Sequence, residues 1–382
     1  MNNLRFFLVL TICLVVAKGS HAQQYFTKSY TIENGLPTRI VNDACQDSNG
    51  YMWFATQSGI SSYDGFIFTN YDATNGLPQQ HYCKVKFDEK GILWGVPDRV
   101  SDTVVFLQNK IWKRITPASI KPDIEIYTFD VLYKDGIPVI CVGSALGIDV
   151  CQNGRWNHLD ISTDLVRNCI LSLTSESGKF YALTKAGVWV IGEGKTGWGV
   201  TEFLKSPKET IIAIKFERPG TSEEKLWMLS PYRITYMQHG KIMLFADGFT
   251  LPVIFGAPQG GFLDFDARGN VFFGNYWAKY FVHGIQGTVS PLMINNGFSS
   301  NGATSIFIDR EQNIWFTDSR GIDKISNLLL QNYFENNGLL GNEVTAVVEL
   351  RDGRLVFGHN NGLTIYDHHK MKRIAFRGSE NN

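Results

Sequence analysis

The sequence of 382 residues is long enough for one large domain or two to three ordinary ones, and 44% of its residues are hydrophobic. That share is enough to bury a core and excludes a disordered chain. Its 36 basic residues balance its 36 acidic residues and form no long block, which argues against binding to nucleic acid or to an anionic membrane surface. The 37 glycines and 26 phenylalanines favour many short strands joined by tight turns, so the composition predicts an all-β protein.

Residues 1–22 have the pattern of a secretory signal peptide. Arg5 precedes an apolar run from Phe6 to Ala17, and small residues including Ala22 follow it, just before the expected cleavage site. The run is shorter than the roughly 20 residues that cross a bilayer, which disfavours a membrane anchor. We therefore expect an exported, periplasmic or extracellular chain that starts at Gln23 and has no membrane span.

A repeat follows the signal peptide. Asn34-Gly-Leu-Pro37 recurs 41 residues later as Asn75-Gly-Leu-Pro78, and each copy precedes a strand, a turn and an aromatic strand. Eight copies of this pattern can be counted, at steps of about 40 to 47 residues. A period of this length with four short strands per unit is typical of the blade of a β-propeller. The turns of the eight copies lie at Gly50, Gly91, Gly136, Gly178, Lys225, Gly269, Asn313 and Gly353.

The first copy is the clearest and predicts the four strands of one blade. Asp47 and Gly50 form the turn between the first two strands, and Asp64-Gly65 forms the turn between the last two. A single four-stranded sheet cannot bury both faces, so neighbouring blades must stack on it, with a tryptophan of the second strand as filling. The predicted strands are 40–45, 51–56, 59–63 and 66–71, and the predicted core tryptophans are Trp53, Trp94, Trp227 and Trp315.

Neither a cofactor nor a metal site is predicted. Five cysteines follow the signal peptide, an odd number without C-x-x-C spacing, which argues against a disulfide framework or a zinc site. The segment from Asp264 to Gly269 comes nearest to a calcium loop, but Arg268 occupies a ligand position. The adjacent His368 and His369 are explained by a solvated strand end.

The segment from Gln46 to Gly65 resembles the two-component-regulator propeller repeat. The family pattern runs Gly-Leu-Pro, a strand, D-x-x-G-x-[LMI]-W-[FIV]-x-T and G-[LIV]-x-x-[YF]-D-G, and this first copy matches nearly every position. Ile314 to Ile322 and Gly362 to Asp367 also match well, whereas the middle copies keep the spacing more than the identity. The resemblance covers essentially the whole mature chain.

This resemblance implies the exported sensor region of a hybrid two-component histidine kinase that responds to oligosaccharides. In such receptors a second propeller, an immunoglobulin-like domain, a membrane span and a kinase follow, and the full-length receptor is expected to form a homodimer. This chain stops after the eighth repeat, so no kinase residue is carried over and no catalytic residue is assigned. A secreted propeller glycoside hydrolase or lyase is the alternative, because its paired acids cannot be recognised from spacing alone.

The predicted domains are a seven-bladed β-propeller over residues 23–327 and the first repeat of a second, truncated propeller over residues 328–382. Tyr25 to Tyr30 precedes the first Asn-Gly-Leu-Pro motif as a fourth strand without its own blade. It is expected to close the ring by pairing with Gly321 to Ile325, which also hides open sheet edges. A single eight-bladed ring is the alternative, in which this strand pairs with Gly362 to Tyr366.

The predicted ligand site lies at the mouth of the central channel. In a propeller the first strands line the channel, and the loops that lead into them gather on one face, where pooled polar side chains form a binding site. Mixed donors and acceptors there suit a polyhydroxylated ligand or a partner loop, although solvated loop residues would have the same pattern. The candidate residues are Arg39, His81, Glu125, Arg167, Glu209 and Asn301.

Overall fold

The computed structural model describes residues 24–376 except 79, 98–102, 117–125, 196, 206–209, 219–220, 253–259, 283, 285–286, 288, 327, 329–330, 334, 336–337 and 368–369. The predicted signal peptide and the two adjacent histidines therefore lie outside the described residues. The chain divides into two compact units. The larger unit contains Thr27–Ile294 and Phe298–Ser326, and the smaller unit contains the described residues of 1–26, Asn295–Gly297 and Asn327–Asn382.

The described part of the larger unit contains seven four-stranded antiparallel sheets, named blades 1 to 7 in chain order. Each sheet is a meander. The structure therefore confirms the all-β propeller of four-stranded blades that the sequence predicts. Blade 1 comprises β3 (Val41–Gln46), β4 (Met52–Thr56), β5 (Gly59–Tyr63) and β6 (Phe68–Tyr71). Blade 2 comprises β7 (Tyr82–Phe87), β8 (Leu93–Pro97), β9 (Val104–Gln108) and β10 (Ile111–Ile115). Blade 3 comprises β11 (Ile126–Lys134), β12 (Ile137–Ser144), β13 (Gly147–Gln152) and β14 (Arg155–Leu159).

The remaining blades follow the same plan, with one short helix, α1 (Leu165–Asn168), before blade 4. Blade 4 comprises β15 (Ile170–Glu176), β16 (Lys179–Thr184), β17 (Gly187–Gly194) and β18 (Gly197–Lys205). Blade 5 comprises β19 (Ala213–Glu217), β20 (Lys225–Leu229), β21 (Ile234–Gln238) and β22 (Lys241–Ala246). Blade 6 comprises β23 (Phe262–Phe265), β24 (Val271–Gly274), β25 (Lys279–Val282) and β26 (Val289–Pro291). Blade 7 comprises β27 (Ser305–Ile308), β28 (Ile314–Asp318), β29 (Gly321–Ile325) and, from the N-terminal end, β2 (Thr27–Tyr30).

The pairing of β2 with β29 confirms the strand exchange predicted for the N-terminal segment. Tyr30 lies opposite Ile322 and Thr27 opposite Ile325. Gly321 has a φ of +136°, and a Cβ there would lie 2.2 Å from the carbonyl oxygen of Tyr30, so the close approach requires glycine. The first strand of blade 7 also packs beside that of blade 1, which completes a cycle of contacts. These contacts support seven blades in the ring, and the blade number stays a prediction.

The predicted tryptophans fill the spaces between blades. Trp53, Trp94, Trp227 and Trp315 are all buried, and each packs in a cluster with residues of the following blade or, for Trp315, of blade 1. The indole Nε1 of Trp315 donates to Asp309 Oδ2 at 2.8 Å. The other carboxylate oxygen of Asp309 accepts from the backbone amide of Asn313, in the turn between the first two strands of blade 7. The aspartate turn therefore fixes the tryptophan as well as the hairpin.

The last strand of blade 1 is shorter than predicted. The Asp64 carboxylate accepts hydrogen bonds from the amides of Phe66 and Ile67, both at 2.8 Å. These two residues therefore belong to the turn, and β6 begins at Phe68 and not at Phe66. The predicted N-terminal strand is likewise divided, because it is interrupted at Phe26.

The smaller unit contains one four-stranded sheet and one two-stranded sheet in its described part. Its large sheet exposes two apolar side chains of the first strand, with Val347 58% and Val348 56% exposed. The assignment of this sheet to a second propeller stays a prediction. The four strands are β31 (Ala346–Glu349), β32 (Leu355–His359), β33 (Gly362–Tyr366) and β34 (Met371–Ala375), and the pair is β1 (Gln24–Tyr25) with β30 (Gln331–Asn332).

Candidate functional site

A cavity of about 490 Å³ lies among the first strands of the larger unit. Its wall comes from β3, β7, β11 and β15, and from the segments around residues 260–261 and 304–307 that belong to blades 6 and 7. First strands thus line a central channel, as the sequence predicts. Its volume falls in the range of small-ligand pockets.

Acidic side chains on first strands connect neighbouring blades around this cavity. Asp43 of blade 1 accepts a hydrogen bond from Ser305 Oγ of blade 7 at 2.6 Å and one from the Val85 amide of blade 2 at 3.2 Å. Its carboxylate also lies 3.7 Å from the ammonium of Lys84. Asp43 therefore holds three blades together while its side chain remains only slightly exposed.

A second carboxylate has the same role between blades 2, 3 and 4. Asp130 forms an ion pair with Lys86 and accepts a hydrogen bond from the Ser175 amide at 2.6 Å. Its side chain is buried, whereas that of Lys86 is 45% exposed. The lysines on the cavity wall are thus compensated by carboxylates on adjacent strands, and the wall can offer hydrogen bonds to a ligand without a large net charge.

The blades have two edges that differ in chemistry. We use the term entry edge for the edge that contains the loops leading into first strands and the turns between second and third strands, which in blade 1 are residues 36–40 and 57–58. The opposite edge contains the turns between first and second and between third and fourth strands. In an antiparallel meander these two sets of connections necessarily lie at opposite ends of the strands.

Four of the six predicted site residues are described, and all four are exposed at the entry edge: Arg39, His81, Arg167 and Asn301. Arg167 lies in α1, 3.7 Å from Asp164, and Asn301 Oδ1 accepts from the Ile294 amide at 3.0 Å. No hydrogen bond or ion pair in the described part of the chain joins two of the four. Glu125 and Glu209 lie outside the described residues. Convergence of the set on one ligand stays a prediction.

A buried lysine beneath Asn301 was not predicted from the sequence. Lys279, on the third strand of blade 6, is 1% exposed. Its ammonium donates to the carbonyl oxygens of Ser300 at 2.7 Å and Gly302 at 3.1 Å and lies 3.8 Å from Asp323 Oδ2. Burial lowers the pKa of this ammonium to about 8. Lys279 therefore fixes the loop that presents Asn301.

Two carboxylates complete this buried cluster. Asp323 accepts from Ser299 Oγ at 2.8 Å and from Ser29 Oγ of the N-terminal strand at 2.6 Å. Asp318 accepts from Ser300 Oγ at 2.6 Å. Burial raises the pKa of the Asp323 carboxyl, while the nearby Lys279 charge opposes the rise. The cluster joins blade 6, blade 7 and the closing strand, and the lysine within the apolar run from Trp277 to Val282 was its only signal in the sequence.

A second cavity, of about 750 Å³, lies between blades 5 and 6 near the opposite edge. The indole of Trp227 donates there to Glu217 Oε2 at 2.8 Å, and Lys225 lies 3.5 Å from the same oxygen. Lys215 pairs with Asp264 at 2.9 Å. Four charged groups of this groove, Lys215, Glu217, Lys225 and Asp264, are thus engaged in ion pairs within it.

Two further observations concern the described residues. No group of three or more His, Cys, Asp or Glu side chains within them is placed to hold a metal ion. None of their helices is both long and apolar enough to cross a membrane.

Comparison with known proteins finds a match to one repeat family and several structures with a similar fold. Residues 35–58 match the family described as two component regulator propeller. The extracellular domain of BT3049 from B. thetaiotaomicron, assigned to a hybrid two component system, has a similar structure, with a TM-score of 0.61 and 17% identity over 92% of this chain and 54% of that chain. The extracellular domain of BT4673 from the same organism gives 0.59 and 16% over 94% of this chain and 48% of that chain. The chain thus spans about half the length of these two extracellular domains.

An enzyme shares the same fold. Virginiamycin B lyase from Staphylococcus aureus has a TM-score of 0.58 and 16% identity over 79% of this chain and 99% of the lyase. At such low identity these structures show the fold alone. No curated protein matches the sequence significantly. Residues 35–58 thus match one repeat of the two component regulator propeller family, and the chain that contains them has the fold of a β-propeller.

Proposed function

We propose that this chain is the exported ligand-binding part of a two-component receptor and that it responds to oligosaccharides without turning them over. The observation that carries the proposal is the two component regulator propeller repeat at residues 35–58. The likeness of the fold to two extracellular domains of two-component systems supports it. Localisation outside the cytoplasm belongs to the same proposal, together with the signal peptide at residues 1–22.

The proposal includes a division of the chain. Residues 23–327 form the sensor ring, and residues 328–382 begin a second propeller that leads to further domains of a longer receptor. The closing contact between β2 and β29 supports the first boundary. The exposed valines of β31 support the second, because a blade gains much of its stability from its neighbours.

The ligand site of the proposal is the entry edge at the mouth of the central cavity. Arg39, His81, Arg167 and Asn301 are exposed at this edge, and the central cavity, which none of the four lines, has the volume of a small-ligand pocket. The two guanidinium groups, the imidazole and the side-chain amide of these residues can donate to or accept from the hydroxyl groups of a sugar.

The test is a calorimetric titration of residues 23–382 with a panel of neutral and acidic oligosaccharides. We expect at least one to bind, and the double variant Arg39→Ala, Arg167→Ala to weaken that binding more than threefold, which corresponds to a loss of about 0.7 kcal/mol. His239→Ala is the matched control, because this exposed side chain lies on the turn between the third and fourth strands of blade 5, at the opposite edge. Unchanged affinity in the double variant would exclude the channel mouth, and a panel without any binder would refute the sensor proposal.

A propeller lyase or glycoside hydrolase is the second candidate function. The similarity of the fold to virginiamycin B lyase is the observation that favours it. The enzyme hypothesis predicts that the chain converts its bound ligand into a product. The sensor hypothesis predicts that the ligand is released unchanged.

A further inference from the structure

The turn between the second and third strands of blade 6 has two aromatic residues at its tip, whereas its counterpart in blade 5 has one, Tyr232, which is 54% exposed. In blade 1 the turn from Thr56 to Gly59 places Gln57 and Ser58 at its tip, whereas in blade 6 the turn from Asn275 to Ala278 has two aromatic residues there. Tyr276 is 51% and Trp277 is 44% exposed. All nine tryptophans are described, and Trp277 is the one that is exposed.

The backbone of this turn is held in place by a buried side chain. The Asn275 amide is buried, and its Oδ1 accepts from the amides of Trp277 at 3.0 Å and Ala278 at 3.1 Å. Its Nδ2 donates to the carbonyl oxygen of Pro252 at 2.7 Å. The two rings meet edge to face, with centroids 5.0 Å apart and an interplanar angle of 85°. The turn backbone is thus ordered before binding and the rings pack on each other, which lowers the entropy lost on binding.

The turn is also joined to the predicted ligand edge. The Ala303 amide donates to the Asn275 carbonyl at 3.1 Å, and the Lys279 amide donates to the Asn301 carbonyl at 3.1 Å. A Cβ on Gly302 would lie 1.9 Å from the carbonyl oxygen of Tyr276, so the two segments are in direct contact. The aromatic pair and Asn301 therefore belong to one continuous surface at the entry edge.

We propose that Tyr276 and Trp277 form an aromatic subsite that stacks on the apolar face of a sugar ring in an uncharged oligosaccharide. This inference rests on the proposed sensor function and adds the position and chemistry of one subsite. Aromatic residues with a polar surround are the usual anchors of binding sites, since ring faces provide apolar area at low conformational cost.

Two observations favour a sugar over a protein partner. Two aromatic side chains of about 150–250 Å² each, 51% and 44% exposed, offer an area well below the roughly 800 Å² per partner of a stable protein interface. The Asn301 side chain is exposed on the same edge, and its Nδ2 can donate to a sugar hydroxyl while its Oδ1 accepts from the Ile294 amide. An uncharged ligand is favoured because the charged groups beneath the turn, Lys279 and Asp323, are buried and neutralise each other.

The test uses the exposure of Trp277. An oligosaccharide that binds residues 23–382 should reduce quenching of tryptophan fluorescence by acrylamide, and this protection should disappear in Trp277→Phe while affinity stays within about threefold, since phenylalanine keeps a flat ring. Tyr276→Ala combined with Trp277→Ala should lower affinity at least tenfold. Phe66→Ala is the matched control, because Phe66 is 90% exposed on a turn at the opposite edge, and it should leave affinity unchanged.

The outcomes separate this inference from the proposed function. If the wild-type chain binds an oligosaccharide, and the double alanine variant binds it within twofold with no protection of Trp277 in the wild type, the aromatic subsite is refuted and the sensor function stands. If no oligosaccharide binds the wild-type chain, the sensor function and the subsite are both refuted. Equal thermal unfolding of all variants confirms that a loss of affinity is local.

Discussion

Replacing Tyr30 by alanine is the sharpest test of how the ring closes. Tyr30 lies on β2, is 4% exposed and packs between blades 7 and 1. Its ring stacks on Trp315 at 5.8 Å and meets Tyr63 edge to face at 5.1 Å between centroids. Closure through β2 makes this ring a core residue, so Tyr30→Ala should leave a cavity at the contact between the first and last blades.

The size of the effect follows from the buried area. An aromatic side chain buries about 150–250 Å², which at roughly 25 cal/mol per Å² is worth about 4–6 kcal/mol as an upper value. Replacing buried aromatic residues by alanine typically costs about 3–5 kcal/mol. We therefore expect Tyr30→Ala to lower the free energy of unfolding by about 4 kcal/mol.

The assay is guanidinium unfolding of residues 23–382, followed by fluorescence and compared with Phe26→Ala. Phe26 belongs to the same N-terminal segment but is 47% exposed, so its replacement should change the free energy of unfolding by less than about 0.5 kcal/mol. The slope with denaturant should be unchanged in both variants. A loss below about 1 kcal/mol for Tyr30→Ala would refute closure of the ring by β2.

Three further predictions concern the turns and the buried cluster. Asp309→Ala removes the acceptor of the Trp315 indole at 2.8 Å and should lower the free energy of unfolding by about 1–3 kcal/mol, because a buried donor is left unpaired; equal denaturation midpoints of variant and wild type would contradict this. Burial lowers the pKa of the Lys279 ammonium to about 8 in the folded chain, against an ordinary value of 10.5. Between pH 8 and pH 10.5 the unfolded chain therefore binds more protons than the folded chain. The free energy of unfolding should rise with pH across this range, by up to about 3 kcal/mol. This rise should be missing in Lys279→Met, measured as the difference between the two stability profiles from pH 8 to pH 10.5, and parallel profiles would refute it. Gly302→Ala places a Cβ 1.9 Å from the Tyr276 carbonyl and should weaken oligosaccharide binding at least threefold without removal of a contacting side chain, whereas unchanged affinity in calorimetry would show that the turn need not be held in place.

The repeat pattern predicted most of the fold because each blade is specified locally. Gly59 to Tyr63 was predicted and observed with the same bounds, since a turn glycine starts this strand and Asp64 ends it. Blade 5 shows the limit of the pattern. Its tryptophan bonds to Glu217, ten residues before Trp227, whereas Trp94 bonds to Asp88, six residues before it. The spacing of the repeats placed this blade, but not the longer connection between its first two strands.

The candidate site could be predicted only in part because its contacts join distant segments. The position of Arg39 and Asn301 at the entry edge follows from their place before first strands. The cluster of Lys279 with Asp323 depends on two neighbouring blades and on Ser29 from the N-terminal strand, 294 residues from Asp323. No local pattern encodes such a contact. The exposed pair Tyr276 and Trp277 likewise reads as ordinary core aromatics until the turn is placed at the blade edge.

Native mass spectrometry of residues 23–382 with the tightest-binding oligosaccharide tests the sensor proposal most directly. One spectrum reports both the complex and the mass of the ligand released from it. The proposal predicts a complex of protein with intact oligosaccharide and an unchanged ligand mass after prolonged incubation. Shorter or unsaturated fragments that accumulate with time would contradict it and would identify the chain as a propeller enzyme.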